Sequence, residues 1–145
     1  MIIDDIIEKT KERVEENKKR NSIDKLAKLA FAKPIYNDFP FEKALRKPGL
    51  SYIMEVKRAS PSKGVITQNF DYKTIAKEYE DIGAAAISVV TEPDFFKGDD
   101  DFLAEIKKIV KIPVLRKDFV IDEYMIYEAK VGGQAVLGRQ GSLTT

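Results

Sequence analysis

Five polar residues stand where this sequence could do chemistry: Glu55, Lys57, Thr91, Glu92 and Lys117. Glu55 and Lys57 lie two apart in the run Tyr52-Ile53-Met54-Glu55-Val56-Lys57, which has strand character. Alternation along a strand puts both on one face and Val56 on the other. Opposite charges on a buried strand are costly unless paired. A mutual salt bridge would meet that cost, but Thr91-Glu92 and Lys117-Asp118 repeat the pattern at the ends of the next two apolar runs. Ionisable groups at three successive strand ends read as a site. The chain has no histidine and no cysteine. That removes disulfides, Cys/His zinc sites, thiolate nucleophiles and every Ser-His-Asp or Cys-His mechanism. Proton transfer near neutral pH then falls to Lys, Glu, Asp or Tyr. Lys117 is the best general-acid candidate, since a lysine enclosed by apolar groups can lose its proton readily and serve as acid or Schiff-base nucleophile.

Weaker signals surround these residues. Ser60-Pro61-Ser62-Lys63-Gly64 could offer hydroxyls, a charge and free amides to an anion, or form an ordinary turn. It lacks the GxxxxGK[ST] pattern of a P-loop. Phe95, Phe96 and Phe119 lie just past strand ends, where they either cap the sheet core or line an aromatic pocket.

The elements that must position these groups follow from periodicity. Residues 2–20 carry Ile3, Ile6, Ile7, Thr10 and Val14 on one helical stripe, with Asp4 and Asp5 at the start and Lys18, Lys19 and Arg20 at the end, as the helix dipole favours. The basic stretch could suggest RNA binding, but a solvated helix face explains it. A second helix spans 22–32, a proline-containing connector 33–40, and a helical turn or two 41–46. After Gly49 strands alternate with helices. Residues 52–57 read as a strand, 71–82 as a helix capped by Asp71, and 84–90 as a buried strand. A helix over 101–110 carries Phe102, Leu103, Ile106, Ile109 and Val110 on its buried side. Then come a strand over 113–117, a helix over 122–131 capped by Asp122, and a fourth strand beginning in 134–137. This β-α-β-α-β-α-β order implies a parallel sheet, either open and doubly wound or part of a (β/α)₈ barrel. In both, ligands bind at the carboxyl ends of the strands.

The 145 residues fit one ordinary domain and fall short of the roughly 250 that a complete (β/α)₈ barrel usually takes. Lys plus Arg number 25 against 24 Asp plus Glu. That balance argues against a dedicated nucleic-acid binder while leaving room for a local anion site. The N-terminus lacks the layout of a signal peptide and no apolar run approaches a membrane span, so the expectation is a cytoplasmic protein without a membrane partner.

At the strand ends the residues resemble a known family. Glu55-Val56-Lys57-Arg58-Ala59-Ser60-Pro61-Ser62 is similar to the E-x-K-x-x-S-P-S signature of indole-3-glycerol phosphate synthases. Ser88-Val89-Val90-Thr91-Glu92 resembles the family's second strand, and Phe95-Phe96-Lys97-Gly98 its F-x-G turn. Pro113 to Val120 resembles its third strand with K-D-F at Lys117-Asp118-Phe119. The resemblance covers residues 1–131, roughly the N-terminal half of a family member. It implies an α/β fold that is a partial (β/α)₈ (TIM) barrel of about four strands and three helices. Residues 1–48 would be a helical extension, 49–137 the partial barrel and 138–145 an atypical tail. It implies a carbon–carbon lyase of tryptophan biosynthesis that closes the indole ring of 1-(2-carboxyphenylamino)-1-deoxyribulose 5-phosphate, a phosphorylated small-molecule substrate. Carbon dioxide and water are lost, and neither metal nor organic cofactor is used. By motif position Lys117 is the general acid on the ribulose moiety and Lys57 contacts anionic groups and assists proton transfer. Glu55 holds both lysines and the substrate, Ser60 contacts a substrate anion, and Phe96 and Phe119 line the anthranilate pocket.

The match departs after Val131. Where the family continues G-A-D-A-V-L-L-I, this chain reads Gly132-Gly133-Gln134-Ala135-Val136-Leu137-Gly138-Arg139-Gln140. The expectation is an end altered or truncated by a frameshift, a partial gene or engineering. The resemblance places the general-base glutamate and the phosphate-holding loops on later strands. The chain alone is therefore expected to be a poor catalyst or none, and to self-associate or pair with a C-terminal half, since open edges and an uncovered apolar face invite association. Two other readings stay open: a non-catalytic half-barrel that serves as a folding or assembly unit, and an unrelated phosphosugar-binding barrel protein.

Overall fold

The structure is a computed structural model that describes residues 1–34, 39–132, 135–137 and 143–144. In chain order its elements are α1 (Ile2–Arg20), α2 (Ile23–Ala32), α3 (Pro40–Leu45), β1 (Ile53–Val56), β2 (Ala59–Ser60), β3 (Gly64–Val65) and α4 (Tyr72–Asp81). There follow β4 (Ala86–Val90), α5 (Pro93–Phe96), α6 (Asp100–Ile109), β5 (Val114–Lys117), α7 (Glu123–Gly132), β6 (Ala135–Leu137) and β7 (Leu143–Thr144). The chain divides into two compact units, Met1–Asn37 with Phe119–Thr145, and Asp38–Asp118.

In the first unit α2 and α1 pack on α7. Val14, Leu26, Tyr124 and Met125 form its core. The buried Tyr124 hydroxyl lies within donating distance of the carbonyls of Asn17 at 3.1 Å and Asn21 at 2.9 Å, at the end of α1 where helix carbonyls run short of amide partners. Lys18 reaches Asp122 at 2.7 Å, and Asp122 accepts from the Tyr124 amide at 2.8 Å as α7 begins. Part of the basic end of α1 is thus used within the unit. Of the predicted stripe, Ile6, Thr10 and Val14 are buried and Ile3 is exposed. β6 falls inside the predicted fourth strand and pairs antiparallel with β7, with Val136 opposite Thr144. Gln134 lies outside the described residues.

The second unit is an α/β arrangement built on a parallel sheet. β4 pairs with β1 on one side and β5 on the other. Partners in a parallel ladder share a face, so the register sorts every side chain. Glu55, Ser88 and Leu115 align on one face, joined two residues on by Val90 and Lys117. Val56, Ile87, Val89, Val114 and Arg116 point the other way. That second face is the apolar core, where Val56, Ile87, Val89 and Val114 pack with Ala76 of α4 and with Leu103, Ile106 and Val110 of the α6 segment. The predicted Asp71 cap holds, since its carboxylate accepts from the Thr74 amide at 3.1 Å, and Gly83 takes a positive φ just past α4. Ile109, expected on the buried side of α6, is exposed because it falls at the helix's last position while Leu103 and Ile106 fill the contact.

Candidate active site

The strands deliver three charged side chains to one place. Glu55 on β1 points to the face opposite the apolar core, and Lys57 follows two residues later on the same side. Lys57 Nζ stands 2.8 Å from Glu55 Oε1. Lys117, at the end of β5, reaches Glu55 Oε2 at 3.5 Å from two strands away. One carboxylate is thus shared by two ammonium groups at the carboxyl ends of a parallel sheet. Glu55 and Lys57 are each 32% exposed and Lys117 is 50% exposed. Burial pushes the Glu55 carboxyl up, but the hydrogen bond from Lys57 and the charge of Lys117 outweigh it and hold the group below its ordinary value. Glu55 is therefore an anion at neutral pH, and two ammonium groups against it leave net positive charge. Pairs this accessible contribute about 1 kcal/mol or less to stability, so their convergence is poorly explained by folding alone. Lys117 is an exposed strand end rather than an enclosed one, because β5 stops at that residue.

Ser60 lies just beyond, on a feature that the loop reading did not anticipate. β2 and β3 form a two-stranded antiparallel hairpin with Ser60 opposite Gly64. Gly64 takes φ +64, a conformation that L residues with side chains rarely adopt, and it lets the hairpin close. The Ser60 and Ser62 hydroxyls stand 3.5 Å apart at the turn, open to solvent. β2 packs beside α5, the short helix that carries Phe95 and Phe96, both half-buried. Phe119 is half-buried and opens the second segment of the first unit.

Thr91 and Glu92 make bonds of their own beyond the end of β4. Glu92 is fully buried and turned into its own loop, where it accepts from the amides of Asp94 at 3.0 Å, Phe95 at 2.8 Å and Phe96 at 3.0 Å. It caps α5, whose first residue is Pro93. Glu followed by Pro was the available signal for a helix start. The loop closes when the Gly98 amide donates to the Glu92 carbonyl at 2.8 Å. A Cβ at Gly98 would stand 2.4 Å from the Val90 carbonyl oxygen, so only glycine fits this approach to the end of β4. Thr91 is buried behind β5, where its hydroxyl donates to Asp118 at 3.0 Å and accepts from Arg116 at 3.4 Å. Sequence reasoning passed over Arg116. Its signal was a charge at an inward-facing position of the apolar run Val114-Leu115-Arg116.

A parallel sheet with helices between its strands defines the class: a βα-repeat protein, a class in which ligands bind at the carboxyl ends of the strands. Comparison with known proteins narrows it. The family model for indole-3-glycerol phosphate synthase matches residues 3–137. A relative from Endomicrobium trichonymphae named indole-3-glycerol phosphate synthase is 56% identical over 138 residues, which cover 94% of this chain and 54% of the relative. Relatives of the same name from Ruminiclostridium cellulolyticum and Lachnoclostridium phytofermentans are 52% and 48% identical, across 94% and 92% of this chain and 53% of each relative. The chain belongs to the indole-3-glycerol phosphate synthase family, and it spans about half the length of these relatives. Among the described residues no helix is long and apolar enough to cross a membrane.

Proposed function

We propose that the chain supplies the first strands of a (β/α)₈ barrel and one side of an indole-3-glycerol phosphate synthase active site. In that reading residues 1–48 are the helical extension and 49–137 the barrel portion. The carrying observation is the Glu55 carboxylate shared by lysines from two non-adjacent strand ends. Lys117 is the proton donor to the ribulose oxygen, and its half-exposed amine is accessible to a ligand over the strand ends. Lys57 holds an anionic group of the substrate and assists proton transfer. Glu55 keeps both ammonium groups oriented until the substrate's own negative charge arrives. Ser60 adds a hydroxyl toward a substrate anion, and Phe96 lines the pocket for the anthranilate ring. The substrate is 1-(2-carboxyphenylamino)-1-deoxyribulose 5-phosphate, whose carboxylate and phosphate match the excess of positive charge.

The 145 residues by themselves turn over weakly or not at all, because the family resemblance assigns the general base and the phosphate loops to later strands. They self-associate or pair with a C-terminal half. Among the described strands β1 has β4 as its one neighbour, and Ile53 on that edge is 45% exposed. The test is a fluorescence assay of indole-3-glycerol phosphate formation by the chain alone and after addition of the C-terminal half of the Endomicrobium trichonymphae relative. Product only in the mixture is the expected result. Product from the chain alone would show that later strands are dispensable, and none in either case would remove the activity from this chain.

A further inference from the structure

A lysine that acts as an acid must be aimed, and the Lys117 side chain is poorly equipped to aim itself. Among the described residues its side chain has one polar contact, a long one of 3.5 Å to Glu55, and half of the side chain is exposed. A flexible four-carbon stem loses more rotamer entropy on being fixed than such an exposed pair supplies. Its direction must come from the backbone that bears it. That backbone is fastened on both sides to one residue. The Thr91 amide donates to the Lys117 carbonyl at 3.1 Å. The Thr91 hydroxyl donates to the Asp118 carboxylate at 3.0 Å and accepts from Arg116 Nε at 3.4 Å. Arg116 and Asp118 point away from Lys117, into the opposite side of the sheet, and approach each other at 3.6 Å. The guanidinium also pairs with Asp100 in the first turn of α6 at 3.3 Å. The Asp118 side chain is fully buried and Arg116 nearly so.

Buried ion pairs are poor sources of stability, because desolvation offsets most of their attraction and apolar residues of similar volume usually do as well. Charged side chains in this place call for a directional reason, and the residue between them is Lys117. We infer that Thr91 and Asp118 are positioning residues for Lys117: with Arg116 they lock the Arg116–Asp118 backbone to the end of β4 and so set the direction in which the lysine leaves β5. The inference rests on the reading of Lys117 as the acid and extends it to residues that touch no substrate.

The test uses the 145-residue chain with its lysines reductively ¹³C-dimethylated, a change that keeps their charge. Carbon–proton spectra are assigned with Lys117→Arg and Lys57→Arg. The expected result is a Lys117 signal displaced from the common exposed-lysine position. Thr91→Val, nearly isosteric but without the hydroxyl, and Asp118→Asn move it back to that position. Thr91→Ser, which keeps the hydroxyl, leaves it displaced, and Lys57 stays unchanged throughout. A Lys117 signal unmoved in both folded variants overturns the inference, as does a Lys57 signal that shifts in parallel, since that would report general loosening. In the mixture with the C-terminal half, Thr91→Val lowers kcat by up to about 100-fold, the scale of a misplaced catalytic group, with KM within about twofold. If the mixture makes no product the functional reading fails, while the spectra still decide whether Thr91 and Asp118 hold Lys117.

Discussion

On one face of the β1–β4–β5 sheet, Val56, Ile87, Val89 and Val114 meet Ala76, Leu103 and Ile106, and the charged Arg116 among them is matched to Asp100, Asp118 and Thr91. On the other face Glu55 is shared by two half-open lysines. Both faces carry opposite charges, yet they use them differently. Behind the sheet Arg116 and Asp118 are enclosed and their bonds directional, which suits a part that must not move. At the strand ends the charges are accessible, loosely paired and unequal in number, which suits a part that must exchange partners with a ligand. The residues between the two regimes are Lys117 and its neighbours, where a single register step separates scaffold from site.

The comparison breaks most severely if the enclosed face is emptied. Leu103→Ala removes a fully buried side chain from the α6 contact and should cost about 2–5 kcal/mol, read as a lower urea midpoint with an unchanged slope. Below its new midpoint the folded variant should still show the displaced Lys117 signal, because Leu103 makes none of the Thr91 bonds that hold the Lys117 backbone. Gly98→Ala attacks the seam between the regimes. Its Cβ would overlap the Val90 carbonyl and the Thr91 backbone, forcing the α5 loop off the end of β4 at about 1–3 kcal/mol. Amide exchange should rise at Phe95 and Phe96 before it rises in β4.

The smallest expected effect is at the accessible face. Glu55→Gln should change stability by about 1 kcal/mol or less at neutral pH. The folded state holds the Glu55 carboxyl below its ordinary value, so its contribution is complete above the unfolded-state pKa and is lost as pH falls through the lower folded-state value. Unfolding curves of the parent and Glu55→Gln should therefore converge on acidification. A gap that widens at low pH would mean that Glu55 is not paired as described.

The Glu55–Lys57 face was readable because strand alternation is rigid: two residues apart is one face, whatever the tertiary context. The helices with Asp71 and Asp122 caps were readable because caps are local. Thr91 and Glu92 follow the end of β4 as read, but alternation says nothing of where their side chains go once the chain turns into α5. Periodicity says nothing about where a four-residue helix intervenes, although Glu92-Pro93 marked it. The requirement for glycine at Gly98 is invisible in sequence, since it comes from backbone approach between segments rather than from local conformation. The β2–β3 hairpin escaped for a similar reason, because two-residue strands are too short to show alternation.

The proposed role of Lys117 is chemistry on a substrate bound over the strand ends. The most direct measurement is the turnover number for indole-3-glycerol phosphate formation by the chain completed with the C-terminal half of the Endomicrobium trichonymphae relative, compared with Lys117→Ala in the same mixture. Loss of a general acid should lower kcat by about 10²–10⁴-fold while the mixture still assembles. Turnover by Lys117→Ala within a few-fold of the parent would rule out Lys117 as the acid and return it to the role of a surface ion-pair partner.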